Sequence, residues 1–336
     1  MDNQRAPRNY STGSVKRDNR QQQQKLVVIL ICIVIALLLV VFMTIIGAKI
    51  VIGLLDGFGF DNANPGDVIY KDITIDKVQT TYGPLALVND SHEYKFPTEP
   101  LGNLVNIWDY RSAHANGNTP YKTNMDKQLD GTAMHAVHQW LSDFNKATGK
   151  GDAIIVSAYR TAEEQASYSV PVGQSDHHTG FGVTIKIYDG TNTYDFDHDP
   201  EYQTWLTENA YKYGLVVRYP ADKTEITHIN DYENYFHYVG YGPAKYMHDN
   251  NLCLEEFVAT VKSYSVDKPL AVTDANKQDW LIYYAACAGD IATIKVPSNF
   301  TYTISGDNEG GVIICVSLSK TAVEQQQQSG AETAAQ

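Results

Sequence analysis

The longest apolar run of the chain lies near its amino terminus. No charged residue occurs from Leu26 to Ala48, and a lysine borders the run at each end, Lys25 and Lys49. A helix of about 23 residues extends about 35 Å, which is enough to cross a bilayer. Because this apolar core is longer than that of a signal peptide and no small-residue cleavage site follows it, we predict an uncleaved transmembrane anchor over residues 26–48.

The charges beside this run predict its orientation. Residues 1–25 contain six lysines and arginines against two aspartates, and such positive flanks remain on the cytoplasmic side of a membrane. We therefore expect a single-pass protein of the cell membrane with a cytoplasmic amino terminus and an extracellular main domain. Residues 1–25 are otherwise polar, with four consecutive glutamines, and we expect them to form a disordered cytoplasmic tail.

Beyond residue 48 the apolar pattern changes three times. Residues 49–84 are mixed in Gly, Asn, Asp and Thr and predict a stalk. Residues 85–262 combine helical and strand-like periodicities, which predicts an α+β domain. Residues 263–320 contain short β-type runs separated by Gly- and Asn-containing turns, and they predict a small all-β appendage. Residues 321–336 are low in complexity and are predicted to be disordered.

Periodicity also predicts individual elements of the α+β domain. The predicted strands are 85–88, 153–156, 181–187, 215–220 and the second half of 226–240. The predicted helices are 125–147, one that follows Thr161, one that begins at Pro200, 243–250 and 254–262. Residues 95–124, with Pro, Gly and Asn throughout, are predicted to be irregular.

Charge and cysteine content narrow the class of protein. The formal net charge is -13, and nearly all of the acidic excess follows the predicted anchor, which argues against nucleic acid as a partner. Three cysteines follow the anchor, Cys253, Cys287 and Cys315. Because their number is odd and their neighbours are apolar, we expect buried free thiols rather than a disulfide framework.

Residues 175–187 carry the most informative chemistry. They begin with the polar loop Ser175-Asp176-His177-His178-Thr179-Gly180 and continue as a strand with alternating apolar positions. A histidine on a loop that leads into a strand can bind a metal if the strand supplies another ligand a few residues later. Position 184, on this strand, is a threonine.

Arg160 is a second candidate functional residue. It follows the predicted strand 153–156 and precedes a capping box formed by Thr161 and Glu164. An arginine between a strand end and a helix start can bind an anion. It can also be a surface residue in an ion pair, and the residues around Arg160 alone favour that interpretation.

Several short motifs occur in an order that identifies a family. They are Ser157-Ala158-Tyr159-Arg160-Thr161, Gln165, the loop 175–180, Arg218-Tyr219-Pro220, Tyr238-Val239-Gly240 and Leu252-Cys253-Leu254-Glu255-Glu256-Phe257. Together they resemble the VanY-type D-alanyl-D-alanine carboxypeptidases, which are zinc peptidases of the cell wall, over about residues 85–262. The resemblance implies an antiparallel sheet lined by the metal site, with helices packed around it. The β appendage resembles one that follows this domain in Gram-positive relatives.

The resemblance also implies a metal site that this chain does not reproduce. In the family, a histidine, an aspartate and a later histidine bind zinc, and a glutamate acts as general base on the zinc-bound water. His177 matches the first ligand. Thr184 and Tyr235 stand at the positions of the other two ligands, and Tyr232 stands at the position of the general base. We therefore expect a degenerate site without zinc.

Further residues are assigned by the same resemblance or are candidates for a rebuilt metal site. Tyr159, Arg160, Gln165 and Ser175 match positions near the substrate, and the family arginine binds substrate or stabilises the developing oxyanion. His237 lies one pleat beyond Tyr235 and could provide a ligand in a rebuilt site. Further candidates for such a site, judged by sequence position alone, are His178, Asp195, Asp197, His198, His228 and Glu233.

Three functions are compatible with these observations. The favoured one is a catalytically inactive, membrane-anchored extracellular protein that binds peptidoglycan stem peptides or scaffolds cell-wall enzymes. The second is an active zinc carboxypeptidase that removes terminal D-alanine from peptidoglycan with a rebuilt site. The third is a structural ectodomain whose β appendage carries the binding function.

Overall fold

A computed structural model describes residues 62–98, 101–115, 119–230 and 232–319. These residues belong to one compact unit of the chain. The predicted cytoplasmic tail, the anchor at 26–48 and the carboxyl-terminal tail lie outside them. Among the helices within the described ranges, none is long and apolar enough to cross a bilayer.

The helices and strands alternate through the first two thirds of the described chain, and strands dominate the last third. The strands are β1 (Tyr70–Asp76), β2 (Leu104–Asn106), β3 (Lys122–Thr123), β4 (Gln128–Asp130), β5 (Ala153–Ser157), β6 (Gly182–Tyr188), β7 (Thr193–Tyr194), β8 (Leu215–Val217), β9 (Tyr235–Tyr238), β10 (Leu270–Thr273), β11 (Asp279–Ala286), β12 (Ile291–Pro297), β13 (Tyr302–Gly306) and β14 (Gly311–Ser317). The helices are α1 (Ile107–His114), α2 (Gly131–Thr148), α3 (Ala162–Gln165), α4 (Pro200–Ala210), α5 (Thr224–Thr227), α6 (Tyr241–Asn250) and α7 (Leu254–Val261).

A central sheet organises the α+β part. Its strand order is β3-β5-β6-β9-β8, and β7 pairs with β6 outside this path. The β3–β5 pair is parallel, and the other pairs of this sheet are antiparallel. The predicted antiparallel sheet is therefore confirmed apart from its short first strand.

Helix α2 packs against this sheet. Asp130 caps it by accepting hydrogen bonds from two backbone amides of the first turn, and Gly149 ends it in the left-handed conformation with φ 75°. Its apolar face is fully buried, and the Trp140 ring lies 4.5 Å from the Phe236 ring of β9. The helix begins later than predicted, since residues 128–130 form β4.

Residues 263–319 contain the strands expected for the β appendage, and these strands also pair with the segment that we assigned to a stalk. Its sheet has the order β10-β11-β14-β13. Strand β1 pairs with β12 over its whole length, and Ile75 is buried with Ile294 and Val296. The stalk prediction is therefore wrong from residue 62 to residue 81, because a strand whose partner lies more than 200 residues away has no local sequence signal.

The connecting segment, residues 82–98, also differs from its prediction. Residues 85–88 are buried but form no strand. The Leu85 amide donates to Ser305 Oγ and the Leu87 amide donates to the Asp307 carbonyl. These apolar residues thus pack against the appendage instead of pairing in the central sheet. Residues 95–124, predicted to be irregular, include helix α1.

The three cysteines of the described chain confirm their prediction. Cys253, Cys287 and Cys315 are free and buried. Burial raises the pKa of the Cys253 and Cys315 thiols to about 12. These thiols are therefore protonated and unreactive at neutral pH.

The burial of α2 leads to a prediction about stability. Phe144 is fully buried, and its ring lies 4.8 Å from that of Tyr202. Phe144→Ala should lower the free energy of unfolding by about 3–5 kcal/mol, because it removes apolar contacts and leaves a cavity. Urea unfolding of the purified chain measures this change. Met125→Ala is the control, since Met125 is 69% exposed, and equal effects of the two substitutions would contradict this packing.

Candidate functional site

The residues of the candidate site lie on adjacent strands of the central sheet. A one-turn 3-10 helix, Asp176–Thr179, leads into β6. Thr184 of β6 is paired with Tyr235 of β9 on one side and with Ser157 of β5 on the other. Strand pairing therefore brings together positions that are far apart in the sequence, as the family resemblance implied.

Three side chains gather around His177. Its Nε2 atom lies 3.4 Å from the Thr184 hydroxyl and 3.5 Å from the Tyr232 hydroxyl, and these two hydroxyls are hydrogen bonded to each other at 2.8 Å. The Tyr235 ring lies edge-on to the imidazole, with ring centroids 4.5 Å apart. The four positions that matched the family's zinc ligands and general base therefore lie close together. The groups that they carry are one imidazole and three hydroxyls.

The imidazole of His177 is held in its neutral form. Burial, assisted by the positive charge of Arg160, lowers the pKa of His177 to about 3. Its Nδ1 atom is buried and has no hydrogen-bond partner among the described residues. The nearby Ala158 backbone acts in the opposite direction to burial and raises the pKa of His177. A neutral ring among hydroxyl groups can exchange hydrogen bonds with them.

Asp176 forms a buried ionic cluster beside this group. Its carboxylate accepts hydrogen bonds from Tyr235 Oη at 2.7 Å, His237 Nδ1 at 2.5 Å and Arg218 Nε at 3.2 Å. Burial alone would raise the pKa of Asp176, but His237 and Arg218 together hold it well below its usual range. The remaining nitrogens of the Arg218 guanidinium bind Glu255.

His237 does not replace a missing metal ligand. Its Nδ1 faces Asp176, and its Nε2 lies 2.9 Å from the Pro84 carbonyl oxygen. Most of the other residues considered for a rebuilt site are likewise bound elsewhere. His178 contacts the Arg160 carbonyl, His228 contacts Asp90, Glu233 binds Gln203, Asp195 binds Lys186 and Asn234, and His198 stacks on Tyr194.

The residues of the site do not fit zinc as the family binds it. No group of three or more His, Cys, Asp or Glu residues suited to a metal occurs within the described ranges. Zinc sites in proteins use imidazole, thiolate or carboxylate ligands, whereas Thr184 and Tyr235 offer neutral hydroxyls. The Tyr235 hydroxyl is moreover donated to Asp176.

A cavity of about 300 Å³ lies next to these side chains. Arg160 lines it and is fixed by two neutral acceptors, with Nε 2.9 Å from Ser157 Oγ and Nη1 3.1 Å from Gln165 Oε1. Gln165 and Ser175, which matched positions near the substrate, also line the cavity. Tyr159, which matched another such position, is not among the lining residues. Its ring lies beside Gly180 instead.

The cavity also contains aromatic residues that sequence reasoning missed. The Tyr168 ring lies over the Arg160 guanidinium at 3.7 Å. Tyr219 stacks on Tyr235 and Tyr232, with ring centroids 5.6 Å and 6.0 Å apart. Tyr219 belongs to the family motif at 218–220, and that motif could have indicated it. Tyr168 had no such signal, because the turn after α3 alone brings it to Arg160.

Comparison with known proteins identifies relatives of this chain. The family model described as "VanY: D-alanyl-D-alanine carboxypeptidase" matches residues 138–241. A D-alanyl-D-alanine carboxypeptidase from Enterococcus faecium is 35% identical over 256 residues, which cover 73% of this chain and 79% of that protein. A D-alanyl-D-alanine carboxypeptidase from Enterococcus faecalis is 39% identical over 106 residues, which cover 32% of this chain and 37% of that protein.

A solved structure supports the same relationship. The vancomycin-resistance D,D-dipeptidase VanXYg, in complex with a D-Ala-D-Ala phosphinate analogue, superimposes with a TM-score of 0.64 at 26% identity. The match covers 74% of this chain and 99% of the dipeptidase. The similarity therefore extends beyond the segment matched by the family model and includes most of the described fold. This chain belongs to the VanY family of D-alanyl-D-alanine carboxypeptidases.

Proposed function

We propose that this protein is a membrane-anchored, extracellular receptor of the cell wall that binds the carboxyl terminus of peptidoglycan stem peptides without hydrolysing them. The observation that carries this proposal is the state of Arg160. Its guanidinium lines a cavity, and its hydrogen-bond partners there are neutral. A guanidinium of this kind binds carboxylates through two parallel hydrogen bonds.

The charges of the cavity favour an anionic ligand. Arg160 is the sole lysine or arginine among the described residues that line it, and Asp176 is the sole carboxylate. Asp176 accepts its three hydrogen bonds from Tyr235, His237 and Arg218, so it is not a partner of Arg160, whose own side-chain partners are neutral. A stem peptide that ends in a free carboxylate supplies the matching charge, and the relatives of this chain carry the name of enzymes that act on such peptides.

The same geometry argues against hydrolysis by the family's route. That route needs a metal-bound water and a carboxylate that accepts its proton. Tyr232 offers a phenol at the base position, and its hydroxyl is hydrogen bonded to Thr184. Thr184 is 3% exposed and does not line the cavity, so its hydroxyl is not placed to act as a substitute nucleophile.

Gly182 indicates that the site is adapted to its tyrosines. A Cβ atom at position 182 would lie 1.9 Å from the Tyr235 hydroxyl and 2.4 Å from the adjacent ring carbon. Any larger residue on this part of β6 would therefore collide with the Tyr235 ring. Tyr235 and Gly182 therefore act as a packing pair, and the Tyr235 ring fills the space beside His177. A space filled in this way favours a binding role over a metal site that has lost its ion.

The proposal predicts that binding depends on Arg160. Arg160→Met should weaken binding of a pentapeptide ending in D-Ala-D-Ala at least tenfold, because a charge-assisted hydrogen bond contributes about 1.5–3 kcal/mol. Isothermal titration calorimetry of the detergent-solubilised chain measures the affinity. Lys186→Met is the matched control, since Lys186 forms an ion pair with Asp195 and does not line the cavity.

The same preparation distinguishes the receptor from an active enzyme. Metal analysis of the purified chain and an assay for released D-alanine test the enzymatic function directly. We expect neither bound zinc nor release of D-alanine. Stoichiometric zinc with D-alanine release would establish the rebuilt-site enzyme, and unchanged peptide affinity in Arg160→Met would refute the binding mode proposed for the receptor.

The packing of Gly182 leads to a separate prediction. Gly182→Ala should destabilise the fold by about 1–3 kcal/mol, because the added methyl group overpacks the space held by Tyr235. The penalty should shrink in a Tyr235→His background, and a double-mutant cycle from urea unfolding measures this coupling. Gly66→Ala is the control, since a Cβ there meets no atom within 4 Å. Equal penalties in both backgrounds would show that the two residues are not a packing pair.

A further inference from the structure

A second cavity, of about 330 Å³, lies beside the connecting segment 82–98. Its walls combine residues of that segment, residues 101–104, and residues of the turn that precedes β6 and of the appendage. Most of them are apolar or aromatic, including Tyr82, Tyr94, Leu104, Phe181 and Ile304. Ligand cavities in proteins typically show such apolar walls with a small number of polar groups.

The hydroxyl of Tyr94 is a polar group that this cavity offers to a ligand. Tyr94 is only 5% exposed, and its ring is stacked on His178 with centroids 5.7 Å apart. Burial raises the pKa of Tyr94, so its hydroxyl is a neutral donor and acceptor. No described residue forms a hydrogen bond with this hydroxyl or with that of Tyr82, whose ring lies edge-on to it at 5.9 Å. Since Tyr94 lines the cavity, this hydroxyl is available to a ligand bound there.

The charges of this cavity exclude an anion as its ligand. No lysine or arginine occurs among the described residues that line it, and its one carboxylate belongs to Asp130. The oxygens of Asp130 already accept hydrogen bonds from the Thr132 and Ala133 amides and from the Asn103 side chain. The cavity therefore fits an uncharged ligand that has both apolar faces and hydrogen-bonding edges.

A sugar ring has this combination of surfaces. Its C–H faces pack against aromatic rings, and its hydroxyl and acetamido groups exchange hydrogen bonds with tyrosine hydroxyls. A hydrocarbon chain would match the walls but would leave the Tyr94 hydroxyl without a partner. The polar group in the wall thus favours a saccharide over a lipid.

One turn of the chain contributes residues to both cavities. Asp176–Thr179 contributes His177 to the cavity of Arg160 and Thr179 to the second cavity. A stem peptide of five residues extends at most about 17 Å from the glycan that carries it. The ligand proposed above therefore brings sugar units into the neighbourhood of its own binding site.

We propose that the second cavity binds an uncharged, N-acetylated amino sugar of the glycan strand to which the stem peptide is attached. This inference rests on the proposed function, since it takes peptidoglycan as the ligand. It adds a saccharide site with Tyr94 as the hydrogen-bonding residue and with Tyr82 and Phe181 as apolar walls.

The test uses the detergent-solubilised full chain and triacetylchitotriose, a neutral trisaccharide of N-acetylglucosamine, as the probe. Calorimetric titration should show saturable binding. Tyr94→Phe should weaken it about fivefold, because one neutral hydrogen bond is lost while the ring remains. Gly102→Phe should weaken it more than tenfold, since Gly102 lines the cavity and a Cβ there meets no atom within 4 Å.

Arg160→Met is the control, because it removes the proposed peptide site and should leave affinity for the trisaccharide unchanged. No binding of the trisaccharide, or equal affinity in wild type, Tyr94→Phe and Gly102→Phe, would overturn the saccharide site. Loss of binding to a sugar-free pentapeptide in Tyr94→Phe would overturn it as well, because it would assign this cavity to the peptide. Peptide binding that depends on Arg160 is measured separately, so either site can fail without the other.

Discussion

The buried carboxylate of Asp176 is the interaction on which the site depends. It binds Tyr235 and His237 of β9 and Arg218 after β8, and through Arg218 it is connected to Glu255 of α7. His237 extends the cluster to the Pro84 carbonyl of the connecting segment. A charge at this depth is stable only while its donors are in place, and removal of one partner from such a cluster typically costs about 3–5 kcal/mol. The cluster thereby fixes the 3-10 turn, β9 and the connecting segment relative to one another.

This cluster also determines what the neighbouring side chains can do. Because Tyr235 donates to Asp176, its hydroxyl is committed to structure, and Tyr232 is committed to Thr184 in the same way. Beside His177, the floor of the first cavity therefore presents phenol hydroxyls that are already hydrogen bonded. Arg160 is the one lysine or arginine among the described residues that line this cavity. The scaffold is that of the family, and in the function that we propose the chemistry of its site differs, because function resides in the site and not in the fold.

Local patterns predicted those parts of the structure that local physics determines. The strand at 182–188, helix α2 and the strands of the appendage each have a period or a cap in their own residues. The convergence of Thr184 and Tyr235 followed from the family motifs and was confirmed by strand pairing. The pairing of β1 with β12 and the partners of His237 could not be predicted, because each depends on a contact between distant residues. Tyr168 was missed because the family motifs gave it no signal.

The acidity of the chain bears on the peptide binding that we propose. With a net charge of -13, the protein repels anionic polymers at its surface. At physiological ionic strength this repulsion extends only about 8–10 Å. Inside the cavity the low polarity strengthens the field of a single guanidinium, while Tyr168 covers its face and leaves its edge to a ligand. In the proposed receptor, an anionic polymer would therefore not be attracted along its length, whereas a carboxylate at the end of a peptide would reach Arg160. The net charge would then contribute selectivity for chain ends, and the single cation would contribute affinity.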